Sequence, residues 1–200
     1  MKNARGKILI LALVFLCGCG ARITNRDSQG TTIVCFGDSL TAGEGAGPKQ
    51  DYPSVLQAKV DLPVINAGVR GNTTADGLAR LDQDVLRHNP RIVIITLGGN
   101  DFLRKLPKEE TLRNMSAIID KIQENGSMVL WAGVKTGLFG DAYTEDLKKL
   151  QQEKHFILIP NILEGILFDP RYKADQIHPN AAGYRIIAER IYKKIKPLSV

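Results

Sequence analysis

The chain has 200 residues, of which 44% are hydrophobic and 24% charged. This composition fits one globular domain and excludes a disordered chain. The formal net charge is +6, but three of the positive charges lie in the first seven residues. No dense stripe of Lys and Arg remains elsewhere, so a nucleic-acid partner is not expected.

The N-terminus has the pattern of an export signal. A basic start, Met1 to Lys7, precedes the apolar run Ile8 to Leu16, which is typical of a signal peptide and too short for a permanent membrane-spanning helix. The run ends in Leu16-Cys17-Gly18-Cys19, which resembles the bacterial lipobox. An ordinary signal peptide and an uncleaved anchor are the alternatives.

The lipobox resemblance predicts how the mature protein begins. It implies that residues 1–18 are a signal peptide and that the Cys19 thiol carries a lipid. Residues 19–30 are polar without an apolar period, so we expect a linker between the lipid and a domain over 31–200. The protein is therefore expected in the cell envelope, in the periplasm or at the cell surface, anchored to a membrane.

From residue 31 onward, short apolar runs alternate with helical periods. The pattern predicts strands over 31–36, 63–66, 91–97, 128–132 and 156–159, and helices over 52–60, 73–87, 107–124, 142–153 and 181–195. The nearly continuous Ile and Val of 91–97 indicate a strand buried on both faces, as in a parallel sheet. Such alternation predicts an α/β domain, a three-layer sandwich with right-handed crossovers.

Four segments with polar or glycine residues lie where a site would form. In open parallel sheets, sites lie beyond the carboxyl ends of the strands. Three of the segments directly follow predicted strands, and the fourth precedes the last helix. They are Gly37-Asp38-Ser39-Leu40, Asn66-Ala67-Gly68-Val69-Arg70-Gly71, Gly98-Gly99-Asn100-Asp101 and Asp175-Gln176-Ile177-His178-Pro179.

These residue types suit acyl transfer. A serine becomes a nucleophile when a base removes its proton, and histidine ionises near neutral pH. Ser39 and His178 are the candidates, and Asp175, three residues before the histidine, could orient the imidazole ring. The oxyanion of the intermediate needs hydrogen-bond donors. The backbone N–H groups of Ser39 and Gly68 and the side-chain amide of Asn100 could supply these donors. Because glycine has no side chain, the Gly68 N–H is expected to be unshielded.

Each of these residues also has a structural interpretation. Ser39 could cap a helix, Gly68 and Asn100 could belong to turns, and His178 could cap the last helix. Asp38 and Asp101 are interpreted as structural residues that accept hydrogen bonds in their turns. The functional interpretation of Ser39 depends on the presence of all four segments together.

The four segments match, in order, the conserved blocks of the SGNH or GDSL hydrolases. That family is named for four residues, which here are Ser39, Gly68, Asn100 and His178. The resemblance covers about residues 32–197. It implies a flavodoxin-like, five-stranded sheet of order 2-1-3-4-5, no metal and no cofactor, and hydrolysis of esters or thioesters. The wording of the blocks resembles the bacterial arylesterase, thioesterase and lysophospholipase branch.

The sequence says less about the substrate. Residues 133–145 follow no family pattern, and we hypothesise that they line the pocket, with Leu138 and Phe139 as apolar candidates. A small-molecule or lipid acyl ester is the expected substrate, and O-acetyl groups on envelope polysaccharide are the alternative. The oligomeric state is not predicted.

Two other classes of protein compete with the esterase. A metal-dependent phosphoesterase needs several histidines and carboxylates around its metals, and the chain has three scattered histidines. A lipid-anchored binding module with an inactive site is disfavoured by the intact Ser39, Asp175 and His178.

Overall fold

A computed structural model describes residues 22–135 and 143–198. Five parallel strands form one sheet in the order β2-β1-β3-β4-β5, which confirms the predicted strand order. The strands are β1 (Thr32–Gly37), β2 (Val64–Gly68), β3 (Pro90–Thr96), β4 (Met128–Ala132) and β5 (Ile157–Ile159). Their last residues define the carboxyl edge of the sheet, and their first residues define its amino edge.

Seven α-helices are described. They are α1 (Ser39–Ala42), α2 (Tyr52–Gln57), α3 (Thr74–Asp84), α4 (Gly99–Leu103), α5 (Lys108–Glu124), α6 (Thr144–Lys154) and α7 (Ala181–Ile195), with 3₁₀ turns at Leu86–His88 and Lys196–Leu198. Buried residues of α1, α2 and α7 pack on one face of the sheet, and those of α3, α5 and α6 on the other. The three-layer sandwich is therefore confirmed.

The central strands are buried on both faces because their side chains alternate between two cores. In β1, Ile33 and Cys35 belong to one hydrophobic cluster, and Val34 and Phe36 to the other. All four are fully buried. Cys35 is an unpaired cysteine that fills space like any small apolar side chain.

Two short helices, α1 and α4, follow β1 and β3 directly and were not predicted. Each has four or five residues, too few to show a helical period. The Asp38 side chain caps α1 by accepting a hydrogen bond from the Leu40 N–H, and Gly43 ends that helix with a left-handed φ of 86°. The capping residue next to Ser39 is therefore Asp38, and Ser39 itself is the first residue of the helix.

Residues 22–30 are irregular, as a linker composition predicts, but they are not a free linker. The Thr24 N–H donates to the His155 carbonyl at 2.9 Å, and the Asn25 side chain donates to the Gln123 and Ser127 carbonyls at 2.7 and 3.1 Å. Ser28 is buried. The segment docks through these hydrogen bonds and through Ile23, which is partly buried against the core, and a single apolar residue leaves no hydropathy pattern in the sequence.

Several predictions fall outside the described residues. These are the signal peptide over 1–18, the lipidated Cys19, and the pocket candidates Leu138 and Phe139, so all of them stay predictions. Within 22–135 and 143–198, no helix has the length and apolar character needed to cross a membrane.

Candidate active site

Ser39 and His178 meet at the carboxyl edge of the sheet. Ser39 follows β1 by one residue, whereas His178 lies in the connection between β5 and α7, 139 positions further along the chain. The Ser39 Oγ lies 3.0 Å from His178 Nε2, and His178 Nδ1 lies 2.8 Å from Asp175 Oδ2. The three side chains thus have the hydrogen-bond sequence of a Ser–His–Asp triad.

Asp175 builds the loop that presents His178. Its Oδ1 accepts the backbone N–H groups of Ile177 and His178, each at 2.8 Å, while Oδ2 is left for the imidazole. Partial burial opposes ionisation of this carboxyl, but the hydrogen bonds from His178 and Ile177 outweigh it and lower the pKa of Asp175. An ionised Asp175 holds the proton of His178 on Nδ1, so that Nε2 can accept from Ser39.

The glycine-rich loop after α1 brings the two halves of the site together. Its backbone packs against the histidine loop at Gly45, where a Cβ atom would come within 2.6 Å of the Pro179 carbonyl and 3.4 Å of His178 Cβ. The Tyr184 hydroxyl on α7 donates to the Glu44 carbonyl at 2.7 Å. The loop therefore helps to hold Ser39 and His178 at their observed distance.

Asn100, in the first turn of α4, lies next to the nucleophile. Its side-chain Nδ2 donates to Asp38 Oδ2 at 3.2 Å and to the Asn72 carbonyl at 3.0 Å. Both amide protons thus have acceptors, one a carboxylate oxygen and the other a backbone carbonyl. The Ser39 N–H, by contrast, has no hydrogen-bond acceptor among the described residues.

Gly68 does not match the expectation of an unshielded donor. Its N–H donates to the Asn66 side-chain oxygen at 3.0 Å, and a Cβ atom there would come within 2.3 Å of the Ala42 backbone nitrogen. Gly68 is therefore a position of close packing against α1. Three residues further on, the N–H of Gly71 has no acceptor in the described part of the chain.

The Gly71–Asn72 turn is held beside Asn100 from two sides. Gly71 has a left-handed φ of 75°, which favours glycine, and its carbonyl accepts from Arg104 at 2.7 Å. The Asn72 carbonyl accepts from Asn100, as described above. Both glycines lie in the same sequence segment, and a local contact from Asn66, two residues before Gly68, distinguishes the occupied N–H from the free one.

Arg80 on α3 is a site residue that the sequence did not reveal. Its guanidinium donates to the Gly37 and Ala67 carbonyls at 2.9 Å each, and to the Asn72 side chain at 2.6 Å. It also lies over the Phe36 ring, 4.4 Å from the centroid. Arg80 therefore joins the ends of β1 and β2 to the turn beside Asn100. The only signal in the sequence is the spacing to Asp84, which is typical of a helix-surface ion pair.

Asp38 and Asp101 are both buried and structural. Burial raises the pKa of Asp38 to about 6, although hydrogen bonding from Leu40 and the charge of His178 oppose the rise. Asp101 accepts from the Thr74 backbone N–H at 3.0 Å and from the Thr111 hydroxyl at 3.3 Å. It thereby ties the starts of α3 and α5 to the segment that carries Asn100.

An apolar cleft opens beside the nucleophile. Its volume is about 160 Å³, and Ser39, Asn100 and His178 form its polar end. Its apolar lining comes from four segments of the chain: Leu40, Leu103, Val134, Leu163, Leu167 and Ile177. An acyl chain with its carbonyl at Ser39 could extend along this lining.

The histidines do not cluster. His88 precedes β3 and His155 follows α6, both at the amino edge, whereas His178 lies at the opposite edge. Among residues 22–135 and 143–198, no group of three or more His, Cys, Asp or Glu side chains could hold a metal ion. The phosphoesterase alternative therefore lacks a ligand set in the described part of the chain.

A 2-1-3-4-5 sandwich with a serine–histidine pair at the carboxyl edge and an asparagine beside the serine defines the SGNH class of hydrolases. A sequence profile of the GDSL-like lipase/acylhydrolase family matches residues 35–186. The chain belongs to this family and is an esterase.

Known relatives agree with this assignment. Esterase TesA of Pseudomonas aeruginosa is 31% identical over 198 residues, which cover 92% of this chain and 98% of that protein. Thioesterase 1/protease 1/lysophospholipase L1 of Escherichia coli K12 is 29% identical over 184 residues, 88% of each chain. A crystal structure of TesA superimposes with a TM-score of 0.78 at 30% identity, covering 84% of this chain and 99% of that one.

Proposed function

We propose that this esterase hydrolyses acyl esters or thioesters through a triad of Ser39, His178 and Asp175. The observation that carries the proposal is the unbroken series of hydrogen bonds from the Ser39 hydroxyl through the imidazole to the carboxylate, at 3.0 and 2.8 Å. The serine therefore has a base within bonding distance, and the base has a carboxylate that fixes its tautomer.

The reaction has two steps. The Ser39 oxygen attacks the acyl carbonyl while its proton passes to Nε2 of His178. The tetrahedral intermediate collapses when the leaving alcohol or thiol takes that proton, which leaves an acyl ester on Ser39. Water then attacks this ester, His178 again accepts the proton, and the acid leaves with the serine restored.

The oxyanion site that we propose differs from the one predicted by sequence in one donor. The Ser39 N–H and the Asn100 amide remain donors, and the free N–H of Gly71 replaces that of Gly68, which is occupied by Asn66. During the reaction Asn100 turns one of its two amide protons, which otherwise donate to Asp38 and to the Asn72 carbonyl, towards the developing oxyanion. A single such donor contributes on the order of a hundredfold or more to turnover.

The cleft supports a substrate with an apolar acyl group. Leu163 is buried, and Leu167 and Val134 are partly buried beside it, so an alkyl chain would remove their exposed surface from water. The names of the relatives, esterase and thioesterase/lysophospholipase, support the same substrate class. Leu138 and Phe139 remain candidates for extending the lining. Acetyl groups on envelope polysaccharide remain the alternative substrate.

We also propose that the protein is exported and anchored to a membrane by lipid on Cys19. The support comes from the sequence alone, namely the basic and apolar segments over 1–18 and the lipobox-like ending. Mass spectrometry of the mature N-terminus tests this part independently of activity.

A serine substitution and a chain-length series test the catalytic proposal. Ser39→Ala should abolish hydrolysis of nitrophenyl esters without changing the unfolding curve, whereas Ser116→Ala on α5 should leave both unchanged. With the wild type, kcat/KM should rise from acetyl to medium-length chains on both nitrophenyl esters and acyl thioesters. Undiminished turnover by Ser39→Ala would refute the mechanism, and a steady fall from acetyl onward, with activity on acetylated sugars, would favour the alternative substrate.

A further inference from the structure

We infer that the tether holds the protein with the amino edge of its sheet towards its own membrane, so that the active site faces away and acts on esters presented from the aqueous side. The inference rests on the lipid anchor at Cys19 proposed above. It concerns residues 22–30, which the sequence predicts to be a linker.

The contacts of this segment lie at the amino edge of the sheet. Thr24 bonds to carbonyls at the end of α6, its hydroxyl to Lys154 at 3.1 Å and its N–H to His155 at 2.9 Å. Asn25 bonds to the end of α5 and to Ser127, the residue before β4. The chain thus passes beneath β5 and then β4.

The rest of the segment continues under β3 into β1. The Gly30 backbone packs so closely on Pro90, the first residue of β3, that a Cβ atom would lie 2.4 Å from the Pro90 carbonyl oxygen. The Thr31 N–H donates to the Asn89 carbonyl at 2.9 Å. Each contact satisfies a backbone group at a helix end or a strand start, so the docked segment is part of the domain.

The reach of the remaining tether decides the orientation. From Cys19 to Thr24 there are five residues, which span at most about 17 Å when fully extended. A strand of seven residues such as β3 is about 20 Å long, and Ser39 lies beyond its far end. A tether fixed at the amino edge is therefore too short to pass along the sheet and let the active site turn onto the bilayer.

The exposed apolar side chains lie at the carboxyl edge of the sheet, opposite the docked tether. Five large apolar side chains are the most exposed among the described residues: Val69, Leu103, Leu106, Phe168 and Ile177. All five follow the carboxyl ends of strands, so they lie on the side of the active site and away from the tether. Two of them, Leu103 and Ile177, also line the cleft beside Ser39, so exposed apolar surface is continuous with the site. In the orientation that we infer, these exposed side chains contact acyl esters that arrive through water or from a surface that faces the anchoring membrane.

The test compares esters in the protein's own vesicles with esters in separate vesicles. The full-length lipoprotein is reconstituted into phosphatidylcholine–phosphatidylglycerol vesicles, and the bilayer probe is 4-methylumbelliferyl oleate. The variant carries a Gly/Ser insertion of about fifteen residues after Gly20, which gives a flexible tether with a root-mean-square length of about 25 Å and a far longer maximal reach. The matched control is the same insertion after Asp61, an exposed position between α2 and β2 where a longer loop does not lengthen the tether.

The wild type and the control should hydrolyse oleate in separate vesicles at least as fast as oleate in their own vesicles. The tether variant should gain severalfold on its own vesicles. Equal rates of wild type and tether variant on their own vesicles would overturn the inference, as would a mature N-terminus without lipid. Hydrolysis of soluble 4-methylumbelliferyl butyrate reports on the proposed function separately, because its loss would refute the esterase mechanism rather than the orientation.

Discussion

Replacement of Arg80 by lysine should destabilise the protein and slow the reaction, although the charge is kept. The guanidinium reaches the ends of two strands and the Asn72 side chain at the same time. A lysine ammonium is a single point on a flexible stem and cannot occupy these directions together. We expect Arg80→Lys to keep a contact with Asp84, which lies four residues on along α3 and bonds to Arg80 at 2.9 Å.

The size of the effect follows from the contacts that are lost. Hydrogen bonds to charged groups contribute about 1.5–3 kcal/mol each, and neighbouring contributions do not add fully. Three acceptors would lose their partner, and some of them can recover water, because the Arg80 side chain is 17% exposed. A loss of about 3 kcal/mol in the free energy of unfolding is therefore expected. The Asn72 turn would also loosen beside Asn100, which should lower kcat on the order of tenfold with little change in KM.

Urea unfolding and steady-state kinetics on a soluble ester measure the two effects. Arg87→Lys is the control, because Arg87 is exposed in the 3₁₀ turn after α3, and among the described residues its guanidinium hydrogen-bonds only to the neighbouring His88, at 3.5 Å. The control should change neither quantity. If Arg80→Lys unfolds within about 1 kcal/mol of the wild type with an unchanged kcat, the guanidinium does not position the turn as argued here.

Two further substitutions probe the carboxylates of the site. Burial raises the pKa of Asp38 from 3.8 to about 6, so the folded protein keeps a proton that the unfolded chain loses first. Its stability relative to Asp38→Asn should therefore fall by about 2 kcal/mol as pH rises from 4 to 6, and urea unfolding across this range checks it; a constant difference would contradict it. Asp175→Asn should keep the loop but favour the wrong imidazole tautomer, lowering kcat on the order of ten-thousandfold; unchanged kcat would mean that another group orients His178.

The architecture was predictable because its signals are long or repeated. The nearly continuous Ile and Val residues of β3 indicate a strand buried on both faces. The alternation of such apolar runs with helical periods predicts the three layers. The triad residues were also predictable, because each follows a strand or precedes a helix and so must lie near the carboxyl edge. The sequence predicted the edge of the sheet at which Ser39, Asp175 and His178 meet. The distances between their side chains depend on the fold.

The remaining features depend on the orientation of one side chain or on contacts between distant segments. Whether Gly68 or Gly71 offers a free N–H depends on the Asn66 side chain, which folds back onto only one of them. Arg80 has the spacing of a surface ion pair, and its strand contacts arise only when α3 packs on the sheet. The docking of Thr24 uses backbone carbonyls at the end of α6. None of these contacts leaves a hydrophobic period in the sequence.

The buried Asp38 explains how the nucleophile and the amide donor stay in register. One oxygen of its carboxyl accepts the Leu40 N–H and so fixes the start of the helix that bears Ser39, while the other accepts from Asn100. An apolar residue of similar size would remove the cost of burying this group above pH 6, but it would leave both partners unconnected. Stability is thus given up at a position where a single side chain links the segments that carry Ser39 and Asn100. In the reaction that we propose, Asn100 exchanges one of its hydrogen bonds for one to the developing oxyanion, and Asp38 keeps the amide beside Ser39.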